Sequence, residues 1–510
     1  MMRADGTGDA HSLDWRVVAP RMPILRKLLL PLLASVAACT VGPDYRRPQL
    51  DVPPSWSRPA ELAGAARPAA TDAAAAQKTV AEGAAATQAS ATTAQATELS
   101  QWWMRFSDPQ LTSLIQRAVR SNVDLRIAEA RVRQARATGR IAASEKWPSL
   151  TLATTPTVGT GSRSSTLAAG AGYLLDMFGG VRRSVEAANA DIDASIEERH
   201  AALLALVGDV ASAYIDLRGA QTNIAMLRRN LATQQETWDL TKARRTVGLA
   251  SDLDVERARA QVASTSAELS PIESTREQSV NRLGVLLGAA PAALTHELAA
   301  EAPIPSAPSH ILVGVPADLL RRRPDLRRAE RQLAAATARV GVATADLYPQ
   351  FSLIGLVGLR SADVSDLFKS DSKLTTIGPS ITWPVFAGGA IRGNIELRDA
   401  MQEEALATYE STLLGALENV ENAFVSHTRE QLRRRDLEEA VDANREASEL
   451  AHRLYANGLV GFLDVLVAER AQFESESRLV ESNVAVSTTL VNIYVALGGG
   501  WEKAEEVRLQ

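Results

Sequence analysis

The chain has 510 residues, a formal net charge of −5 and only 5% aromatic residues, and its apolar content leans on Ala, Leu and Val. That mix suits long helices better than one thick mixed core, and Lys and Arg are spread along the chain, which excludes the basic footprint of a nucleic-acid binder. A single cysteine excludes an intrachain disulfide, and the six histidines are too scattered for a metal site.

Residues 1–21 are polar and unpatterned, so Met22 is an alternative start. A short basic stretch, Met22 to Lys27, precedes an apolar run from Leu28 to Ala38, which is too short to span a bilayer. Val36-Ala37-Ala38-Cys39 resembles a bacterial lipobox, in which the thiol is acylated and the chain is cut so that Cys39 becomes the mature N-terminus. The bland alternative is a plain signal peptide with a chance cysteine. On the lipobox reading 1–38 is a signal peptide, and 39–98 is a lipid-anchored segment. Thr40 rather than Asp at the next position favours export to the outer membrane. Residues 57–97 are almost wholly Ala, Thr, Gly, Pro and Gln and read as a flexible tether.

The folded part opens at Trp102-Trp103-Met104-Arg105-Phe106-Ser107-Asp108-Pro109, and from there the chain says the same thing twice. Asp124-Leu125-Arg126 recurs as Asp325-Leu326-Arg327, and Trp147-Pro148 as Tyr348-Pro349. At a slightly longer offset, Gly248-Leu249 recurs as Gly458-Leu459, and Leu253-Asp254-Val255 as Leu463-Asp464-Val465. The offset changes where the second copy carries the longer loop Ser361–Lys373. The copies are assigned to 99–300 and 301–500, with a tail at 501–510.

Each copy predicts a helix (122–147 and 324–347), two strands (149–160 and 165–178; 350–360 and 374–386), a very long helix (181–246 and 390–456), a glycine-containing tip, and a returning helix (252–288 and 462–497). Pro271 predicts a kink in the first returning helix. The first long helix keeps coiled-coil spacing at Leu203, Val207, Val210, Tyr214, Leu217, Gln221, Ile224, Arg228, Leu231, Gln235 and Trp238. About 66 residues at 1.5 Å each make roughly 100 Å of helix, stable only when packed lengthwise against others.

In Leu374–Phe386 the residues Ile377, Pro379, Ile381, Trp383 and Val385 alternate with Thr376, Gly378, Ser380 and Thr382. Such alternation suits a transmembrane barrel strand, with one face to lipid and one to water. Taken alone, the segment favours a half-buried soluble hairpin. Four strands cannot close a barrel, and lipid does not tolerate open edges. Two copies would supply eight strands and three would supply twelve.

The chain resembles the TolC/OprM-type outer membrane factors, in the NodT-like efflux lipoprotein branch. The resemblance covers about 99 to 501 and rests on the Trp102–Pro109 segment, Arg322-Arg323-Pro324-Asp325-Leu326-Arg327-Arg328-Ala329-Glu330, Tyr348-Pro349-Gln350-Phe351-Ser352-Leu353, Gly378–Phe386 and Leu497-Gly498-Gly499-Gly500-Trp501. It implies a mainly α fold with a membrane β part, a homotrimer with a 12-stranded barrel and a 12-helix periplasmic tunnel. The expected partners are a periplasmic adaptor and an inner-membrane transporter such as an RND pump. The implied role is the outer-membrane channel of a tripartite efflux pump. Alternatives are the exit channel of a type I secretion system, or a structural coiled-coil lipoprotein. No catalytic arrangement is found, and no cofactor is expected beyond the lipid on Cys39.

The two tips carry the candidate functional residues. Gly248 and Gly458 suit the left-handed conformation that ends a helix. Asp254 and Asp464 have two compatible readings, as carboxylates favoured at a helix N-terminus or as the periplasmic gate, where three copies would form a ring of six that selects cations. Tyr455 falls where related channels have a gate tyrosine, or it is a helix-packing aromatic. The gating arginine of related channels, after the second tip glycine, is replaced near Val460. Leu249 and Leu459 are the expected adaptor contacts.

Overall fold

The structure, a computed structural model, describes residues 40–49, 51–57, 99–159, 162–305 and 322–509. The signal peptide, Cys39 and most of the Ala/Thr-rich segment therefore lie outside the described residues. The chain divides into two units, and the division cuts across the sequence repeat. One unit comprises Met1–Pro43, Ala143–Ser184 and Val340–Ile395; the other comprises Asp44–Ala142, Val185–Arg339 and Glu396–Gln510.

The first unit is built on one antiparallel sheet in the order β1-β2-β3-β4. Its strands are β1 (Ser149–Gly159), β2 (Ser162–Leu175), β3 (Gln350–Ser361) and β4 (Lys373–Thr382). Register decides the faces. Leu150 lies opposite Ala171, Ala171 opposite Gly355, and Gly355 opposite Ile377; Leu152, Ala169 and Val357 form the next row. With Tyr173, Leu353, Phe351 and Ile381 these rows make one apolar face. The reverse face carries Thr151, Gly170, Thr376, Gly358 and Ser380, interrupted by Ile354, Leu356 and Leu374. Leu150 and Leu152 are each 77% exposed, as is Ile377, so no layer of the described residues covers the apolar face.

β2 and β4 stop earlier than the alternation suggests, at Leu175 and Thr382 instead of 178 and 386. Pro384 has no N–H to give to a ladder, and the indole of Trp383 donates instead to the carbonyl of Leu347 at 3.1 Å. Phe178, beyond β2, stacks on Tyr348 with centroids 4.6 Å apart.

The second unit holds most of the helical residues. In chain order the helices are α1 (Pro109–Ser121), α2 (Val123–Ser144), α3 (Gly180–Thr246), α4 (Asp252–Ala267), α5 (Leu269–Leu286), α6 (Pro324–Ala345), α7 (Ala390–Ala456), α8 (Phe462–Ala496) and α9 (Trp501–Leu509). The first returning helix breaks between α4 and α5. Pro271 lacks the N–H that the carbonyl of Ala267 would have accepted, whereas proline-free α8 runs unbroken. The predicted seam of α3 holds from Leu203 to Ile224, all of it buried. Beyond that, burial moves one residue back, to Leu227, Gln234, Thr237 and Thr241, while Arg228 is exposed. A helix of 3.6 residues per turn drifts against a 3.5-residue pattern, and an extra three-residue step resets the register.

Three of the quoted motifs, Trp102–Pro109, Arg322–Glu330 and Leu497–Trp501, converge in the core of this unit. Trp102 stacks on Tyr494 at 5.3 Å and donates its indole N–H to the carbonyl of Gly499 at 3.1 Å. Gly500 adopts φ 110°, and a β-carbon there would meet the Trp102 indole nitrogen at 2.7 Å. Asp108 caps α1, accepting the amides of Gln110 and Leu111 at 2.8 and 3.0 Å, and its second oxygen accepts the Tyr214 hydroxyl at 2.8 Å. The guanidinium of Arg323 donates to the carbonyl of Ala496 at 2.8 Å while Asp325 holds it. The tail at 501–510 is in fact helical as far as Leu509.

Residues 40–49 and 51–57 make defined contacts, whereas the predicted tether at 57–97 lies almost wholly outside the described residues. The Tyr45 hydroxyl donates to Glu330 at 3.1 Å, and burial beside that carboxylate pushes the phenol well above its usual range. Trp56 packs edge-on against Phe424 with centroids 5.7 Å apart, and Ser57 bonds Glu421 through its amide and hydroxyl at 2.8 and 2.6 Å.

Candidate functional site

One local device builds both tips. At the ends of α3 and α7 the chain turns through Gly248 at φ 78° and Gly458 at φ 72°, a left-handed conformation that costs a residue with a β-carbon about 1–2 kcal/mol. The amide of Gly248 donates to Arg245 O and that of Leu249 to Arg244 O, both at 2.9 Å. Gly458 and Leu459 repeat the pair on Tyr455 O and Leu454 O, again at 2.9 Å. These bonds satisfy carbonyls that a helix end leaves open.

The returning helices start on the aspartates. Asp254 accepts the Ser251 amide at 3.1 Å and its hydroxyl at 2.7 Å, while the Asp254 amide donates to Ser251 Oγ at 3.2 Å. At the second tip Gly461 has no side chain to offer, and Asp464 accepts its amide at 3.1 Å. Both carboxylates thus cap their helices. Asp254 is half-exposed and Asp464 exposed, and among the described residues nothing joins the two. Leu249 and Leu459 are 67% and 70% exposed, with no core to hold them.

Arg244 is the tip residue that sequence reasoning missed. Its Nη1 donates to Tyr455 O at 2.7 Å and Ala456 O at 3.3 Å, and its guanidinium lies 4.6 Å from the Tyr455 ring centroid. A cation from α3 therefore caps the negative end of α7 and binds the two tips together. In the sequence Arg244 reads only as a basic residue in the last turn of its own helix, which conceals the cross-tip bond. Tyr455 is 4% exposed, packs edge-on against Phe462 at 5.9 Å, and belongs to a small cluster with Ala258, Val465 and Leu466. Its hydroxyl is buried without a hydrogen-bond partner among the described residues. Farther from the tips, buried Glu469 accepts the Thr237 hydroxyl and meets His452 Nε2, each at 3.0 Å.

Among the described residues no three metal-binding side chains converge. The arrangement holds groups in place and presents charge and apolar surface.

The family described as outer membrane efflux protein matches residues 114–289 and 315–499. Outer membrane protein OprJ of Pseudomonas aeruginosa is 30% identical over 508 residues, covering 96% of this chain and 98% of OprJ. The toluene efflux pump outer membrane protein TtgF of Pseudomonas putida is 32% identical over 500 residues, covering 93% and 97%. The solved structure of the outer-membrane channel OprN superposes with a TM-score of 0.79 at 34% identity, covering 91% of this chain and 100% of that one. With the repeat, the open sheet and the paired tips already in place, these matches settle the assignment: the chain belongs to the outer membrane efflux protein family and forms the outer-membrane channel of an efflux pump.

Proposed function

We propose that three copies of this chain close one barrel and one helical conduit, anchored by a lipid on Cys39, through which small molecules leave a periplasmic adaptor and an inner-membrane transporter of the RND type. The observation that carries the reading is the sheet, which among the described residues has one apolar face with no covering layer and unpaired edges at β1 and β4. In lipid such edges must be paired, and further copies supply the missing strands. The protein in mild detergent is therefore expected to run at three times the mass of the mature chain, by light scattering or native mass spectrometry. A monodisperse monomer with native helix content would sink the shared barrel.

Support for the anchor comes from the residue after Cys39. Thr40 lies so close to Gly179, in the turn from β2 to α3, that a β-carbon on that glycine would meet Thr40 Cγ2 at 2.6 Å. The Val41 amide donates to Phe178 O at 3.1 Å. The chain start of β1 and β3 and the chain end of β2 and β4 share one edge of the sheet, so the lipid would leave at the edge where the helices attach. Cys39→Ala is expected to abolish labelling by a palmitate analogue while trimers still form. Persistent labelling would exclude Cys39 as the acylated site.

On this reading Asp254, Asp464 and Tyr455 form the gate of the conduit, held shut in part by the Arg244 clasp. Gly248, Leu249, Gly458 and Leu459 form the surface offered to the adaptor. The exposed leucines beside two identical turns support that role, since nothing among the described residues buries them.

A further inference from the structure

Resting on the three-copy reading, we propose that an arginine stripe on α2 of one copy pairs with an acidic stripe on α7 of the next, forming a charged seam that fixes the register between copies. Arg126, Arg133 and Arg140 recur every seven residues on α2, and Glu396, Glu403 and Glu410 recur every seven on α7. Each set lies within an arc of about 40° at 100° per residue and spans about 21 Å of helix. All six are exposed, and none has an ion pair or hydrogen bond among the described residues. Rows of like charge, unpaired along one helix face, repel one another and need a reason.

The topology supplies the neighbour. β2 pairs with β3, and at that edge of the sheet α3 follows β2 while α6 precedes β3. Those two helices accordingly pack together, joined by ion pairs between Arg327 and Glu197 and between Arg339 and Asp191. The free strands are β4, followed by α7, and β1, preceded by α2. Pairing β4 with β1 of the next copy brings α7 beside the neighbour's α2 as surely as β2 and β3 bring α3 beside α6. The repeat agrees, because Arg126 corresponds to Arg327.

The handedness of the pattern also fits. α2 runs toward β1 and α7 runs away from β4, so the two helices would be antiparallel, with Arg140 level with Glu396 and Arg126 level with Glu410. On both helices an exposed apolar residue follows the charge: Ile127 and Ile141 on α2, 47% and 69% exposed, and Leu397 on α7, 51% exposed. The charged stripe thus lies on the same rotational side of the apolar seam in each helix. Antiparallel helices bring like-sided flanks together, so the seam closes with arginine facing glutamate.

The test is charge reversal with rescue. The triple variant Arg126→Glu, Arg133→Glu, Arg140→Glu and the triple variant Glu396→Arg, Glu403→Arg, Glu410→Arg are each expected to lower the trimer-to-monomer ratio in low-salt detergent by about tenfold or more. Combining all six should restore it. Two triples that assemble like wild type, or a combined variant as impaired as either one with native helix content, would overturn the seam. Arg133→Cys with Glu403→Cys, treated with a short bis-maleimide, gives an independent reading against wild type, whose only cysteine is Cys39. Covalent dimers and trimers are expected. A three-copy mass without cross-links overturns the seam and leaves the three-copy reading standing; a one-copy mass for the wild type overturns both.

Discussion

Arginine at Ile377 is expected to abolish assembly of the channel in the outer membrane, while arginine at its chain neighbour Thr376 is expected to be tolerated. The two residues sit in the middle of β4 on opposite faces. Ile377 is 77% exposed and lies in a row with Gly355, Ala171 and Leu150, whereas Thr376 lies in a row with Leu356, Gly170 and Thr151. A guanidinium on the lipid face near the midplane costs about 2–4 kcal/mol, and one in each of three copies costs about 6–12 kcal/mol per channel. On the lumen face it meets water. Membrane fractionation and heat-resistant trimer bands measure the outcome. Equal loss at both positions, or loss at Thr376 alone, would show that the faces are assigned wrongly.

The aspartate pair gives the second large effect. Asp254→Asn combined with Asp464→Asn keeps a carbonyl oxygen to accept the amides of Ser251 and Gly461 but removes the charge. If three copies bring six carboxylates to a constriction, the double variant loses most of the cation preference and much of the block by divalent ions, because those fields act where water screens them little. Single-channel recording measures both. Replacement by Ala adds the loss of the caps, about 0.5–2 kcal/mol per site. Unchanged selectivity in a correctly assembled Asn variant would leave these aspartates as helix caps alone.

Legibility in the sequence followed the length of the pattern. The long helices were placed to within a residue, because dozens of proline-free residues between glycine turns leave little freedom. The strands were legible by alternation, but their ends were not. Trp383 and Val385 continue the alternation beyond the point where Pro384 stops the ladder. Helix α1 carried its own start signal in Asp108-Pro109, with Leu111, Leu114, Ile115 and Ala118 at helical spacing, yet the segment was read only as a motif. The strap around Tyr45 and Trp56 and the Arg244 clasp depend on contacts with residues hundreds of positions away in the chain. A single sequence carries no local trace of such partners. The glycine turns and capping aspartates were legible because each is completed within a few residues.

The sheet has one further consequence, for the order of events in making the channel. Its apolar face and two free edges have no mate among the described residues, so this part of a newly made polypeptide is not expected to reach its final state alone. Maturation is then a collision-dependent process whose rate rises with the local abundance of newly exported chains, and a lone chain is the species most prone to clump by its strand edges. Because the free edges come from opposite halves of the chain, a copy cut short after β3 could still accept a neighbour at β1 but would offer no β4 to the next. Such a fragment would terminate the ring it joins, poisoning full-length companions in the same cell.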